Sequence, residues 1–398
     1  MVKQIPQGYK QTKVGIIPNE WKVEKIHKIF KKLSFPVEVC PESLYQEIGI
    51  RSHGKGIFYK EKVSGQDLGN KSVFWIHPNC LILNIVFAWE QAIAKTAENE
   101  IGFIASHRFP MYKPDQERAA LDFYLYFFKS KRGKLSLELA SPGGAGRNKT
   151  LGQLEFAKLD VPLPPKKEQD KIAEILSTWD DAITKQAQLI EQRQVFKKGI
   201  MQQVFSQELR FKGDNSNDYP AWDYLELSDL LTYKQPTKYL VSSKDYCDDY
   251  KIPVLTAGKS FILGYTNETS GIFRENLPVI IFDDFTTSNQ FVNFKFKVKS
   301  SAMKILLPAT DKVNIRYIYE RMQFIDFALG DEHKRYWISE YSREVIEVPS
   351  SEEQNKIADF LTSFDDEITK QTEILEQLKL QKQSLMQKLL TGQVRVKI

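Results

Sequence analysis

The sequence predicts an α+β fold: two mixed α/β domains separated by two long helices that form an antiparallel coiled coil, with an internal pseudo-twofold repeat. Three observations lead there. One segment recurs without a gap at a constant offset of 185 residues. Both copies carry apolar residues at alternating spacings of four and three, the spacing of a helical seam. The blocks ahead of each copy hold short Phe-, Tyr-, Ile- and Val-rich runs punctuated by Gly, Pro and Asn, which is strand-and-turn chemistry.

The repeat comes first because it decides the architecture. Glu168 to Gln186 reads EQDKIAEILSTWDDAITKQ, and Glu353 to Gln371 reads EQNKIADFLTSFDDEITKQ. Over 168–206 against 353–391, 17 of 39 positions are identical. The seam runs through Ile172, Leu176, Trp179, Ile183 and Gln186 in the first copy, and through Ile357, Leu361, Phe364, Ile368 and Gln371 in the second. Gln186 and Gln371 share one seat; a polar group there costs stability but fixes register. Prolines 164, 165 and 349 stand just ahead of the helices, where they are tolerated. Ser351 to Gln354 fits a capping box, and Gly392 a C-terminal cap. About 39 residues make a rod of roughly 60 Å. Matched registers suit a mutual antiparallel pair; the alternative is that each helix packs on its own domain.

The blocks before the helices are expected to be mixed domains. Cys80–Phe87, Pro278–Phe282 and Phe291–Val298 read as strands, the last by its period of two. Helices are expected over Gln116–Lys129 and Val313–Phe327. The blocks also match weakly: Pro18-Asn-Glu-Trp21 resembles Tyr219-Pro-Ala-Trp222, Gly54-Lys55-Gly56 has a loose counterpart from Gly258-Lys259 to Gly264, and Lys149 falls on Lys334 at the helix offset. The expected boundaries are 1–163, a helix over 164–206, a second domain over 207–348, a helix over 349–392 and a tail over 393–398.

Composition narrows the function. With 42% hydrophobic and 27% charged residues, the chain is an ordinary globular protein. Its longest apolar run, near Leu81–Ala88, is far below the ~20 residues of a membrane span, and its start lacks a secretory core, so a cytoplasmic location is expected. Cys40, Cys80 and Cys247 have neither disulfide nor zinc spacing. Residues 1–160 carry 24 basic and 16 acidic groups, net +8; residues 207–348 carry 18 and 21, net −3. The first block favours a polyanion; in the second, contact would be local, because affinity follows the phosphates neutralised and not the net charge.

Catalytic signatures are weak. Gly143 to Thr150 fails the phosphate-loop spacing because position 148 is Asn. The five histidines do not cluster, and Asp283-Asp284 is a poor nuclease pair because neighbours on a strand face opposite ways. The repeated pairs Asp180-Asp181 and Asp365-Asp366 read as a solvated or partner-facing helix surface. Basic loops point instead to nucleic acid. They carry Arg51, His53 and Lys55; His107 and Arg108; Arg147, Asn148 and Lys149; Lys259; and His333, Lys334, Arg335 and Tyr336. Arg and Lys can bond guanine edges and Asn adenine. The alternative is that these are solvated loop charges.

The twin segments Pro164-Pro-Lys-Lys-Glu-Gln-Asp-Lys-Ile-Ala173 and Pro349-Ser-Ser-Glu-Glu-Gln-Asn-Lys-Ile-Ala358, each leading into a long helix, resemble the two central regions of the specificity subunit of Type I restriction–modification systems. The second copy departs from the family pattern at Ser350, in place of a second proline. The resemblance covers essentially the whole chain. It implies two target-recognition domains, each reading half of a split, asymmetric duplex site, held apart by the helices as a ruler. It implies that the helices dock two methyltransferase subunits and, where present, two restriction subunits. The chain itself would then be non-catalytic, part of an adenine-N6 DNA methyltransferase and Type I endodeoxyribonuclease complex. Cofactors are expected in the partners and none in this chain: S-adenosylmethionine, ATP and magnesium. A coiled-coil adaptor that binds proteins and not DNA is the alternative.

Overall fold

A computed structural model describes residues 5–143, 149–213, 215–256, 260–328 and 335–398. The chain divides into two compact units, 1–188 with 373–398, and 189–372. Two helices of 40 residues, Lys166–Phe205 and Ser351–Leu390, contribute to both.

In the first unit, strands Phe30–Leu33, Met111–Pro114, Leu81–Leu83 and Ile93–Lys95 lie side by side in that order, all antiparallel. A second sheet orders Ile57–Ser64, Leu44–Ile50, Ile104–Ser106 and Val73–Trp75, with its central pair parallel. A third pairing joins Lys22–Lys25 to Asp160–Leu163. The core sits under helix Leu121–Lys129, whose Phe123, Tyr124, Phe127 and Phe128 are buried with Ile172 and Leu176 of the first long helix and Leu389 and Leu390 of the second.

The second unit repeats this topology. Strands Leu231–Lys234, Met303–Pro308, Val279–Asp283 and Asn289–Val292 form the antiparallel sheet. Ile262–Thr266, Ile252–Leu255 and Lys297–Val298 form the second, one strand fewer than in the first unit, with its last two strands again parallel. Asp223–Glu226 pairs with Val345–Val348. Helix Ile315–Met322 starts where the Asn314 side chain accepts from the Arg316 and Tyr317 amides, and it packs with Phe205, Ile357 and Leu361. The expected strand Phe291–Val298 is therefore two strands in different sheets: the chain crosses between sheets at 293–296, and period two cannot distinguish one strand from two. Cys80–Phe87 likewise holds only a short strand, because Asn84 opens a turn.

One cluster recurs in both units. Glu168, with no solvent exposure, accepts from Trp21 Nε1 at 2.9 Å and from Arg395 Nε and Nη2 at 2.6 and 3.0 Å. Glu353, equally buried, accepts from Trp222 Nε1 at 3.0 Å and from Arg210 Nε and Nη2 at 3.2 and 2.7 Å. Hydrogen bonding to Glu168 holds the Arg395 guanidinium above its ordinary pKa. The next residues are also equivalent. Gln169 accepts from the Ala120 amide at 2.8 Å and donates to the Pro164 carbonyl at 2.9 Å; Gln354 accepts from Asn314 and donates to Pro349, both at 2.9 Å. The repeated Glu-Gln thus anchors the start of each long helix to the start of a domain helix. Gln354 is committed to this role, so the expected capping box is absent; Ser350, not Ser351, accepts from the Glu353 amide, at 3.4 Å.

Both long helices end on a left-handed residue, Gln207 at φ 61° and Gly392 at φ 70°. Glycine is needed at 392 for a second reason: a Cβ there would stand 2.4 Å from Pro18 Cδ.

Within each unit the helices run antiparallel and are tied by the repeated aspartates. In the first, Asp180 pairs with Lys382 and accepts from the Tyr126 hydroxyl at 2.7 Å. In the second, Asp365 pairs with Lys197 at 2.8 Å, and Glu367 with Arg193 at 3.2 Å. Asp180 and Asp365 are therefore seam ion-pair partners, while Asp181 and Asp366 beside them are exposed. Burial along the seam is graded. Ile172, Leu176, Ile357 and Leu361 are fully buried because a domain also covers them; Trp179, Ile183, Gln186, Phe364, Ile368 and Gln371 are half-buried. Mutual pairing and packing on a domain both occur, at different turns of the same helices.

Removing one partner of a buried ion pair strands the other charge. Arg395→Ala is expected to cost about 3 kcal/mol, the low end for such pairs because the Arg395 stem still reaches water. A urea-denaturation series reads it; an unchanged midpoint would mean that the carboxylate is satisfied without the arginine.

Candidate nucleic-acid interface

In each unit the connection after the third strand of the antiparallel sheet becomes a tightly bonded tip. In the first unit it spans residues 84–92. Asn84 Oδ1 accepts from the Val86 amide at 3.1 Å, Phe87 donates to Asn84 O at 3.1 Å, and the Phe87 carbonyl accepts from Glu90 and Ala92 at 3.0 Å each. An Asx-type turn thus sets the direction of the tip.

Three of the sequence-predicted basic loops converge on it. The loop 51–56, joining strands Leu44–Ile50 and Ile57–Ser64, is tied down by His53 N to Glu90 O at 2.6 Å, Gly54 N to Gln91 O at 2.9 Å and Ser52 Oγ to Glu90 Oε2 at 3.0 Å. His53 and Gly54 both have positive φ, and a Cβ on Gly54 would meet the Lys129 stem at 3.0 Å. Burial beside this loop pushes the Lys129 amine below its usual pKa. Arg51 lies over the Phe58 ring at 5.0 Å and donates to Ile57 O; Arg51, His53 and Lys55 are exposed. From the second loop, Arg108 O accepts from Ile85 N at 3.0 Å, and His107 and Arg108 are exposed. From the third, Leu151 N donates to Ile85 O at 2.8 Å, and Lys149 Nζ stands 5.5 Å from the Trp89 ring centre. Arg147 and Asn148 lie outside the described residues. The sequence reading missed a groove beside the tip and the second loop, lined by Phe87, His107 and Arg108, and by Glu47 with Lys60 and Lys71 at 3.2 and 3.7 Å from its carboxylate.

The second unit holds the tip 284–288 in the same place. Asp283 Oδ1 accepts from the Phe285 and Thr286 amides at 2.7 and 2.9 Å. Tyr336 N donates to Asp284 O at 2.9 Å. Residues 151 and 336 are 185 apart, so the repeat offset that aligns the helices also aligns the bond that straps each tip. The counterpart of loop 51–56 begins alike: Thr256 N bonds Phe261 O at 2.9 Å, as Arg51 N bonds Gly56 O. Lys259, His333 and Lys334 lie outside the described residues, and Arg335 is exposed.

Tyr336 does not face solvent. It is 3% exposed and packs edge-on to Phe327, so its ring belongs to the core and not to a duplex-facing surface. A sequence cannot separate an aromatic that follows a basic loop from one that starts a buried turn. Asp283 and Asp284 are likewise structural: the first caps the tip, and the second is buried 3.3 Å from Lys304 and accepts from the Trp337 amide at 3.0 Å. Among the described residues no group of His, Cys, Asp and Glu could hold a metal, and no helix is long and apolar enough to cross a membrane.

Two units of related topology, each with a strapped tip, define a duplicated scaffold. Residues 18–192 and 220–380 match the model of the Type I restriction modification DNA specificity domain, and the chain belongs to that family. The Escherichia coli Type I restriction enzyme EcoR124I/EcoR124II specificity subunit is 54% identical over 138 residues, a match spanning 34% of this chain and 34% of that relative. The putative MjaX specificity subunit of Methanocaldococcus jannaschii is 23% identical over 98% of this chain and 97% of its own. Of solved structures, the HsdS subunit from Thermoanaerobacter tengcongensis covers 95% of this chain and 98% of its own at TM-score 0.51 and 15% identity. The M. genitalium Type I S subunit covers 95% and 96% at TM-score 0.59 and 16% identity. These likenesses bear out the two-domain, two-helix fold.

Core and surface roles on either side of one peptide bond are separable. Tyr336→Ala is expected to cost ~3–5 kcal/mol, as for large aromatics cut from a core, and Arg335→Ala to leave the thermal midpoint within about a degree. Equal effects in a thermal melt would contradict the placement of Tyr336.

Proposed function

We propose that each unit reads one half of a split, asymmetric duplex DNA site. The observation that carries this is the duplicated tip: one topology and one backbone strap, but different side chains around each. Arg51, His53, Lys55, His107, Arg108 and Lys149 surround the first tip, and Arg335 flanks the second. Like scaffolds with unlike side chains suit unlike half-sites. The lysines and arginines supply phosphate neutralisation and guanine-edge bonds, and the strapped backbone holds them in position. The two long helices set the number of base pairs between the half-sites and dock two methyltransferase subunits, joined where present by restriction subunits. Adenine-N6 methylation and cleavage then belong to those partners, with S-adenosylmethionine, ATP and magnesium. This chain supplies the address, and the complex works in the cytoplasm.

The test is duplex binding by the chain assembled with its methyltransferase, measured across salt concentrations. Affinity is expected to fall steeply with salt and to prefer one sequence. Arg51→Ala, Lys55→Ala or Lys149→Ala should each lower the slope of log affinity against log salt by about one if that residue touches phosphate; a base-edge residue should instead relax one position. Salt-insensitive binding without sequence preference would favour the protein-binding adaptor.

A further inference from the structure

Each tip presents one exposed phenylalanine, and the cations around it do not explain why. Phe87 is 38% exposed and Phe285 39%. A single exposed aromatic is unremarkable on a protein surface. These two share more than exposure. Both sit in the connection after the third strand of the same sheet, in copies whose sequences have otherwise diverged. Both have backbones pinned by hydrogen bonds. The Phe87 backbone makes three hydrogen bonds within its own turn, and the Phe285 amide is fixed at 2.7 Å by Asp283. Both tips are strapped by the equivalent amides of residues 151 and 336. Phe87 shares its groove with His107 and Arg108, so an apolar face stands beside groups suited to base edges and phosphates.

An aromatic carried on a pinned backbone, part-exposed beside cations, has the chemistry of a wedge against stacked bases. DNA-binding proteins insert such apolar side chains at base steps, and base–aromatic stacking tolerates any sequence because every base has a π-face. We propose that Phe87 and Phe285 pack against the base stack, one in each half-site, and act as positioning residues that seat the neighbouring polar groups on their bases. This rests on the duplex-reading function above and adds to it the residues that contact bases through apolar surface. Phosphate contacts fix register without reading sequence; the wedge fixes the depth at which the readers sit.

The test uses the chain assembled with its methyltransferase, a duplex carrying the site that the wild-type complex prefers, and duplexes substituted singly through each half. Phe87→Ala is expected to weaken binding of the matched duplex roughly five- to hundredfold, the range of one base–aromatic stack. The salt slope should stay unchanged, because no phosphate contact is lost. Discrimination should fall in one half of the site only. Phe285→Ala should do the same in the other half. Phe87→Tyr keeps the ring and should bind like wild type. Binding by both alanine variants within about twofold of wild type, a shallower salt slope, or discrimination lost equally in both halves would each overturn the wedge. So would a tyrosine variant as weak as the alanine one. A selective wild-type complex with unaffected alanine variants sinks the wedge and leaves the function standing; a wild-type complex with no preferred duplex sinks both.

Discussion

A carboxylate with no solvent exposure, held by an indole N–H and a guanidinium, is the contact on which each unit depends. A buried carboxylate without partners is costly enough to destabilise the site that holds it. Glu168 and Glu353 are tolerable only because Trp21 with Arg395, and Trp222 with Arg210, satisfy them. The requirement joins distant parts of the sequence. In the first unit, the arginine trailing the second long helix closes on the glutamate opening the first. In the second unit, the arginine trailing the first helix closes on the glutamate opening the second. The tryptophan in each case immediately precedes the strand, Lys22–Lys25 or Asp223–Glu226, that pairs with the strand leading to the long helix. Helix start, helix end and domain entry are thus fixed at one point, and the adjacent glutamine extends the anchor to the start of the domain helix.

The rest of each unit is built outward from that anchor. The domain helix roofs the aromatic core, and the antiparallel sheet beneath it ends in the strapped tip. Side chains that meet a ligand must be held by elements that do not themselves move. The tip meets this by backbone bonding: the residue at 151 or 336, 15 residues ahead of the long helix in each case, bonds the tip carbonyl directly. The strap is a main-chain bond, so it places no demand on side-chain identity. The surrounding loops can vary while the scaffold stays, as a protein that reads different sequences on one architecture requires.

The sequence made the helices legible and left the tips dark, and the reason is physical. Glu168-Gln169 and Glu353-Gln354 each have one workable environment, so both copies kept them and the 185-residue offset stood out. The same offset continues to Arg210 and Arg395, and to residues 151 and 336, and following it further would have found the clamp and the strap. Phe87 and Phe285 could not be found this way. Each lies in or beside an apolar run that reads as a core strand, and only the Asx turns at Asn84 and Asp283 redirect them to solvent. Tyr336 failed in the opposite direction: it follows basic residues, yet its amide straps the tip while its ring enters the core. The ion pairs of aspartates 180 and 365 are not legible in the sequence because their lysine partners lie 202 residues away in the first case and 168 in the second.

The central claim is that two diverged units read the two halves of one DNA site. Genome-wide adenine methylation, mapped in a host that expresses the partner methyltransferase with and without this chain, tests it most directly. One asymmetric bipartite motif, methylated on both strands and present only with the chain, is the expected result. No new motif with the methyltransferase expressed and active would contradict the account and leave a family member that binds proteins without addressing DNA.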